Sequence, residues 1–329
     1  MVSVAIATYN GEKYILDQLK SIFNQSHPVD EVIITDDRST DDTIKIINNF
    51  ISENRLTNWH VYINEENLGF SSNFFRAVKM TKGDVIFLSD QDDVWEENKV
   101  EVMASIMFSN KEIQLLSSNY TLIDGANEQI HNKQNARSIT KNEATQIVPY
   151  NFFIGNSNFL GCSMCIRKDL RVFLLTHDNL ELNLSLGHDW YFSIVAAAIG
   201  SFSVINKPLF KRRVHESNSS MAELRKTTIL ASTKVKRITY FEQIITAHKL
   251  LLSHNVLKTK IIDENRTKTH EMVRFYEKRL AFMNSGNLLT WISLFFGIGK
   301  YYQNAKSYKG AVRMYIGDLL YAYNINWKL

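Results

Sequence analysis

Apolar residues in this chain come in short runs whose spacing switches between two periods. Residues 2–7 form a compact apolar, β-rich run closed by Thr8-Tyr9-Asn10-Gly11, which predicts a buried strand ending in a turn. Over 12–25, Ile15, Leu19, Ile22 and Phe23 recur at helical spacing, and Pro28 marks the next loop. A second strand is predicted at 31–35. Ser39 or Thr40 then stands where it would cap a helix carrying Ile44, Ile47, Phe50 and Ile51. A strand at 60–63, the loop Asn67-Leu68-Gly69-Phe70, a helix over 71–80, a strand at Val85–Ser89, a helix over 96–108 and a strand at 114–119 follow. Such alternation predicts parallel pairing with right-handed crossovers: an α/β fold with a Rossmann-like, mostly parallel sheet flanked by helices.

In such a sheet the polar groups after each strand collect along one edge. Here that edge carries Tyr9, Asn10, Asp36, Asp37, Asp90, Asp92 and Asp93. The stretch Ser89-Asp90-Gln91-Asp92-Asp93 packs three carboxylates into four positions. Adjacent carboxylates repel, and a hard divalent cation is the simplest neutraliser. The plainer alternative is an acidic turn at the start of the next helix. The turn after the first strand lacks G-x-G-x-x-G, and no G-x-x-x-x-G-K-[ST] is present, which removes dinucleotide and P-loop readings.

The alternation loosens beyond residue 110. Residues 119–142 read as a polar loop. Phe152, Phe153, Phe159 and Leu160 interleave with Gly155, Asn156, Ser157, Asn158 and Gly161, as an aromatic wall beside a pocket or an ordinary core strand and turn. Gly187-His188-Asp189-Trp190-Tyr191 opens an apolar helix to 198. Lys211-Arg212-Arg213-Val214-His215 follows a strand around 202–205 and Pro208. Residues 222–284 lack Gly and Pro and read as long amphipathic helices, packing on the first domain or on each other, or joining copies into a homo-oligomer. The apolar segment 288–298 is too short to cross a bilayer. Lys300, Lys306, Lys309 and Arg313 follow it with several tyrosines and Asp318 as the lone acid. That mixture suits an anionic membrane surface, or a buried tail with snorkelling lysines.

Bulk composition narrows the class only slightly. The 329 residues are 45% hydrophobic and 22% charged, as in a folded soluble protein, and the net charge of +4 is too weak to argue for nucleic acid. Cys162 and Cys165 lack a second pair for zinc and read as reduced thiols. No basic-then-apolar leader is expected at the N-terminus, and no transmembrane helix.

Taken in order, Ala7-Thr8-Tyr9-Asn10-Gly11, then Asp36-Asp37-Arg38-Ser39-Thr40-Asp41-Asp42-Thr43, Asn67-Leu68-Gly69 and Ser89-Asp90-Gln91-Asp92-Asp93-Val94-Trp95 resemble glycosyltransferase family 2. Gly187-His188-Asp189-Trp190 and Arg213-Val214-His215 fit its later motifs, and the Gln between the acids most resembles the rhamnosyltransferase-like branch. The resemblance implies a GT-A fold over 1–220 with a helical region over 221–329, a nucleotide-sugar donor, and Mn²⁺ or Mg²⁺. It implies that Ala7 and Tyr9 line the base pocket, that Asp37 bonds the pyrimidine, and that Asn10, Asp36 and Asn67 lie on the donor side. Asp90 and Asp92 match the D-x-D pair near the ribose and metal, and whether Asp92 or Asp93 takes the metal stays open. Asp189 matches the catalytic base. His215 matches a residue at the metal and diphosphate, with Arg213 beside it on the donor. Trp95, Gly161, His188 and Trp190 fall on the acceptor side. The family often shows Glu-Asp where this chain has His188-Asp189.

The implied activity is inverting transfer, with dTDP-rhamnose favoured as donor. The acceptor would be lipid-linked or an oligosaccharide of a bacterial surface polysaccharide, and the place cytoplasmic, peripheral on the inner membrane face. Alternatives are a UDP-sugar donor, a non-catalytic nucleotide-sugar binder, or a nucleotidyltransferase, whose Gly-rich basic loop is missing at 8–12.

Overall fold

The computed structural model describes residues 1–130, 145–153, 159–175, 187–215, 234–253, 260–297 and 308–323. The expectations for 131–142, 155–158, 222–233, 298 and the basic residues Lys300 and Lys306 lie outside these. The chain divides into two compact units. The first comprises Met1–Val148 and Asn158–His215, and the second Pro149–Ser157 and Glu216–Leu329.

The first unit is built on a nine-stranded sheet. Its strands are β1 (Val2–Thr8), β2 (Glu31–Asp36), β3 (Trp59–Ile63), β4 (Val85–Ser89), β5 (Val94–Trp95), β6 (Leu115–Ile123), β7 (Gln146–Ile147), β8 (Met164–Arg167) and β9 (Phe202–Arg213). Helices α1 (Ile15–Phe23), α2 (Thr43–Glu53), α3 (Phe70–Met80), α4 (Lys99–Ser109), α5 (Lys168–Leu175) and α6 (His188–Ala198) complete the unit. The sheet order is β3-β2-β1-β4-β8-β6-β9-β5, with β7 added against β9. Strands β1, β2 and β4 are near-continuous buried runs because both sheet faces are covered, while the edge strand β3 is exposed or half-buried beyond Trp59.

The half containing β3, β2, β1 and β4 pairs in parallel, as expected. The other half is mixed. Strand β8 inserts antiparallel between β4 and β6, and β5 returns antiparallel on β9. Strand β9 runs well past 205, passing Pro208 where its register against β6 shifts. Lys211 to Arg213 are therefore strand residues and not a following loop. The α2 start also differs from expectation: Asp42 precedes the helix, and Ser39 is bonded to Asp36.

Register aligns the strand ends that matter. Thr8 lies opposite Asp36, and Ile6 opposite Ser89, so the turns at 9–11, 37–42 and 90–93 emerge together. Asn73 of α3 locks two of them from beneath. Its Nδ2 donates to the carbonyls of Thr8 (3.2 Å) and Thr35 (2.9 Å), and its Oδ1 accepts from Asn64 (3.0 Å).

In the second unit, α7 (Lys234–Ser253), α8 (Asp263–Ser285), α9 (Leu288–Phe295) and α10 (Tyr308–Ala322) are assembled around one buried acid. Asp318 accepts from Arg279 Nε (2.7 Å) and Nη2 (3.0 Å), and Arg237 reaches the same carboxylate. Trp291 stacks on Tyr315 at 4.4 Å, tying α9 to α10.

Asn73→Leu keeps the volume but leaves buried carbonyls without donors. It is expected to lower the first unit's unfolding free energy by about 2 kcal/mol or more in urea titration. A change near zero would show that this junction is dispensable.

Candidate active site

The first two turns are held by their own acids. Asp36 accepts from Thr8 Oγ1 (2.7 Å), Ser39 Oγ (2.6 Å) and Ser39 N (2.7 Å). Asp37 accepts from Asn64 Nδ2 (2.7 Å) and from the backbone N–H groups of Leu68 (2.7 Å) and Gly69 (2.8 Å). Both side chains are buried. Asn67 closes the same loop, donating to the Asp37 carbonyl at 3.2 Å. Asn10 sits at φ 48°, a left-handed conformation that Asn tolerates, and its Oδ1 accepts from Thr40 N at 2.8 Å. Tyr9, 47% exposed, projects from this frame, and Ala7 lies half-buried on the strand behind it.

The third turn is the acid loop, and Gln91 clamps it to the first. Gln91 Oε1 accepts from Tyr9 N (2.8 Å), and its Nε2 donates to Tyr9 O (2.9 Å). A side chain on Gly11 would run into that amide, so the glycine is required by close approach. Beneath the loop Gln18, with its amide turned to satisfy every partner, accepts from Ser89 Oγ (2.7 Å) and Trp95 Nε1 (3.1 Å) and donates to the Asp93 carbonyl.

The three acids then part company. Asp92 Oδ2 lies 2.8 Å from His215 Nε2. Asp93 is buried; its Oδ1 accepts from Arg213 N at 3.0 Å, while its Oδ2 has no hydrogen-bond partner. Single donor atoms of Asp90, Asp93 and Cys162 lie within 4.8 Å of one another. Burial first, then the Asp92 charge, pushes the Asp90 carboxyl up to about 6, and the same causes raise Asp93 well above the carboxylate range. Burial and these acids hold the Cys162 thiol protonated. Lys99 is fully buried, its Nζ donating to the Cys162 carbonyl at 2.8 Å, and burial draws its pKa down to about 8.

Arg213 is a buried strut. It donates from Nε to the Asp92 carbonyl (2.8 Å) and from Nη1 to the Asp124 carbonyl (3.3 Å), and pairs with Asp17 (3.2 Å). Its guanidinium lies 4.5 Å from the Tyr14 ring centre, which His215 also contacts at 4.7 Å.

On α6, Gly187 at φ 90° leads into His188 and Asp189. A Cβ on Gly187 would stand 2.7 Å from Asp189 Oδ1, so glycine leaves room for the carboxylate. His188 is buried among Phe74, stacked at 4.2 Å, Phe70 and Phe192, and neither ring nitrogen has a hydrogen-bond partner. A Cβ on Gly161 would meet His188 Nε2 at 2.5 Å. Phe70 and Phe74 belong to α3, which begins at the loop bound by Asp37, so the Asp189 region is coupled to the second turn.

The profile described as Glycosyl transferase family 2 matches residues 3–173. The chain belongs to glycosyltransferase family 2. It is 29% identical over 229 residues to the dTDP-rhamnosyl transferase RfbG of Shigella flexneri, covering 67% of this chain and 74% of that protein. It is 29% identical over 163 residues to the UDP-Glc:alpha-D-GlcNAc-diphosphoundecaprenol beta-1,3-glucosyltransferase WfgD of Escherichia coli, covering 49% of this chain and 58% of that one. The crystal structure of S. aureus TarS 1–349 in complex with UDP superposes with a TM-score of 0.60 at 18% identity, over 98% of this chain and 90% of that one. The likeness in fold bears out the GT-A expectation.

In this family 2 enzyme several of the expected site residues make contacts within the fold. Asp36 and Asp37 accept, and Asn67 donates, hydrogen bonds within the loops of this edge. Arg213 is enclosed, its guanidinium donating to the Asp92 carbonyl, the Asp124 carbonyl and the Asp17 carboxylate. Trp95 and Trp190 are 3% exposed, in the core and not on an acceptor surface. Asp93 lies with Asp90 and Cys162, while Asp92 pairs with His215. Tyr14, Gln18, Gln91, Lys99 and Cys162 were not singled out for this site from the sequence. Only the placement of Gln91 between acids offered a signal, since the others lie on separate elements.

A divalent ion fits Asp92 and His215, a hard oxygen beside an imidazole. The Asp90–Asp93–Cys162 group fits less well, because its thiol is softer than Mg²⁺ favours and is held protonated.

Burial lowers His188 from 6.5 to about 3, so the unfolded chain takes up a proton that the folded one refuses. Its contribution is therefore present above about pH 6.5 and lost as pH falls toward about 3. His188→Phe should lose less melting temperature between about pH 7.5 and about pH 4.5 than the parent protein. Identical pH slopes would mean the imidazole is not what the acid attacks.

Proposed function

We propose that this glycosyltransferase moves a sugar from a nucleoside diphosphate, dTDP-rhamnose favoured, to a saccharide acceptor of a bacterial surface polysaccharide, with inversion. The observation that carries the transfer reading is the pairing of Asp92 with His215 on the edge where Tyr9 and the Asp189 helix also stand. The likeness to the dTDP-rhamnosyl transferase RfbG supports the donor, and WfgD, which acts on a diphosphoundecaprenol-linked sugar, supports a lipid-linked acceptor. A UDP-sugar donor is the second reading, since WfgD takes UDP-Glc.

Asp92 and His215 would hold Mn²⁺ or Mg²⁺, which when bound offsets negative charge on the departing diphosphate. Tyr9 presents an exposed ring for the base. Asp189 accepts the proton of the acceptor hydroxyl. The oxygen so released bonds to the anomeric carbon as the carbon–oxygen bond to the diphosphate breaks, its electron pair leaving with the phosphate. One base and one leaving group on opposite faces amount to a single displacement, hence inversion.

The apolar face of α9 supports a place at the inner membrane surface. Leu288, Leu289, Ile292, Phe295 and Phe296 occupy one face of this helix and remain exposed, Leu289 at 77% and Phe296 at 87%. Arg313 of α10 is exposed, and lysines flank the segment in sequence. An apolar face with cationic neighbours matches an anionic bilayer surface. No helix among the described residues is long and apolar enough to cross a membrane.

Asp189→Asn should abolish transfer, while nucleotide sugars still raise the melting temperature with Mn²⁺ present. Loss of that thermal shift would move Asp189 to donor or metal binding. Leu289→Glu with Phe296→Glu should cut co-sedimentation with anionic vesicles about tenfold or more, each charge opposing interfacial burial. Unchanged sedimentation would remove the membrane assignment.

A further inference from the structure

The polar edge of the first unit carries an apolar outcrop that the chemistry above does not use. The loop 67–70 spends its polar groups inward. The N–H groups of Leu68 and Gly69 donate to the Asp37 carboxylate at 2.7 Å and 2.8 Å, and Asn67 Nδ2 donates to the Asp37 carbonyl at 3.2 Å. What the loop turns outward is Leu68, 39% exposed, and Phe70, 44% exposed. Among the described residues, no atom comes within 4 Å of where a Cβ on Gly69 would stand, so the ground between the two is open. Single exposed apolar residues are ordinary on a surface. These two differ because a buried carboxylate fixes the backbone beneath them, so the ring is held out before any ligand arrives.

The surroundings of the Phe70 ring are apolar as well. It meets the His188 ring edge-on with centres 6.1 Å apart, and His188 is stacked on Phe74 at 4.2 Å and edged by Phe192. Both His188 ring nitrogens are buried without a hydrogen-bond partner, so the imidazole offers no polar group there. His188 immediately precedes Asp189, the proposed base, while the loop itself is tied to Asp37, on the side proposed for the nucleotide. A donor reaching from the Tyr9 ring to Asp189 would bring its sugar, and not its base, beside Phe70.

A nucleotide sugar is polar along most of its length. Rhamnose, a 6-deoxyhexose, carries a C6 methyl where an ordinary hexose carries a hydroxymethyl group. We infer that Phe70, with Leu68 beside it, receives this C6 methyl and sets a preference for a 6-deoxyhexose donor over its 6-hydroxylated counterpart. A hydroxyl added at that carbon would lose water against the ring without gaining a partner. The inference rests on the nucleotide-sugar reading above and adds to it the residue that selects the sugar.

The test measures dissociation constants by titration calorimetry on the full chain with Mn²⁺, for dTDP-L-rhamnose, dTDP-L-mannose and dTDP alone. The two sugars differ only in the C6 hydroxyl. The parent protein is expected to bind the deoxy sugar about tenfold more tightly. Phe70→Gln, which offers an amide to that hydroxyl, should cut the preference to about twofold or less, while Phe70→Leu keeps it. Binding of dTDP alone should be the same in parent and variants. No preference in the parent, or an unchanged preference in Phe70→Gln, overturns the inference. So does a loss of dTDP binding in Phe70→Gln equal to its loss of dTDP-rhamnose, since the ring would then serve the nucleotide. The parent's preference needs no variant, so that arm decides if Phe70→Gln does not fold. If the dTDP sugars fail to bind but UDP-glucose or UDP-6-deoxyglucose binds, the dTDP reading falls, and the same comparison on the UDP pair decides Phe70's role. If neither pair binds, both readings fall.

Discussion

The organising constraint of this enzyme is the mutual repulsion of Asp90, Asp92 and Asp93. Three carboxylates at the end of one buried strand cannot share a single environment, and the structure divides them between two. Asp92 turns to His215. Asp93 turns inward to the backbone of Arg213, and Asp90 stays beside Asp93 at the Cys162 thiol. The cations that make this tolerable come from separate parts of the chain: Lys99 from the start of α4, and Arg212 and Arg213 from the end of β9. Strand β5 explains the last pair, because its antiparallel register against β9 sets Lys211 opposite Val94 and carries Arg213 back to the acid loop.

The remaining polar residues of the edge act chiefly as joinery. Asp36, Asp37, Asn67, Asn73 and Gln91 each satisfy backbone groups of a neighbouring turn, and most are buried. A turn whose N–H and C=O groups are met by side chains holds its shape without being part of a strand. The edge is therefore pre-shaped, with the Tyr9 ring and the Asp92–His215 pair as groups presented on it. This division is what a transferase of nucleotide sugars needs, since stabilisation of a leaving diphosphate relies on groups already in place.

The residue before Asp189, the proposed base, illustrates a local trade. Where many family 2 members carry a glutamate, this chain has His188, held neutral by burial in a cage of phenylalanines. A neutral, apolar-packed neighbour adds no negative charge beside Asp189, and Gly161 is small enough to let the ring approach.

The sequence alone determined the strand and helix alternation of the first half, the edge on which chemistry collects, and the family. Those features depend on local periodicity and on the order of short motifs, which a linear chain carries openly. Tertiary structure alone decided which acid faces which partner. The antiparallel insertion of β8 and the long course of β9 depend on pairing between residues far apart in sequence, and they bring Cys162, Lys99 and Arg213 to the acid loop. A buried lysine or arginine looks no different in sequence from a solvated one; what distinguishes them is the set of carbonyls, rings and carboxylates that folding gathers around the charge.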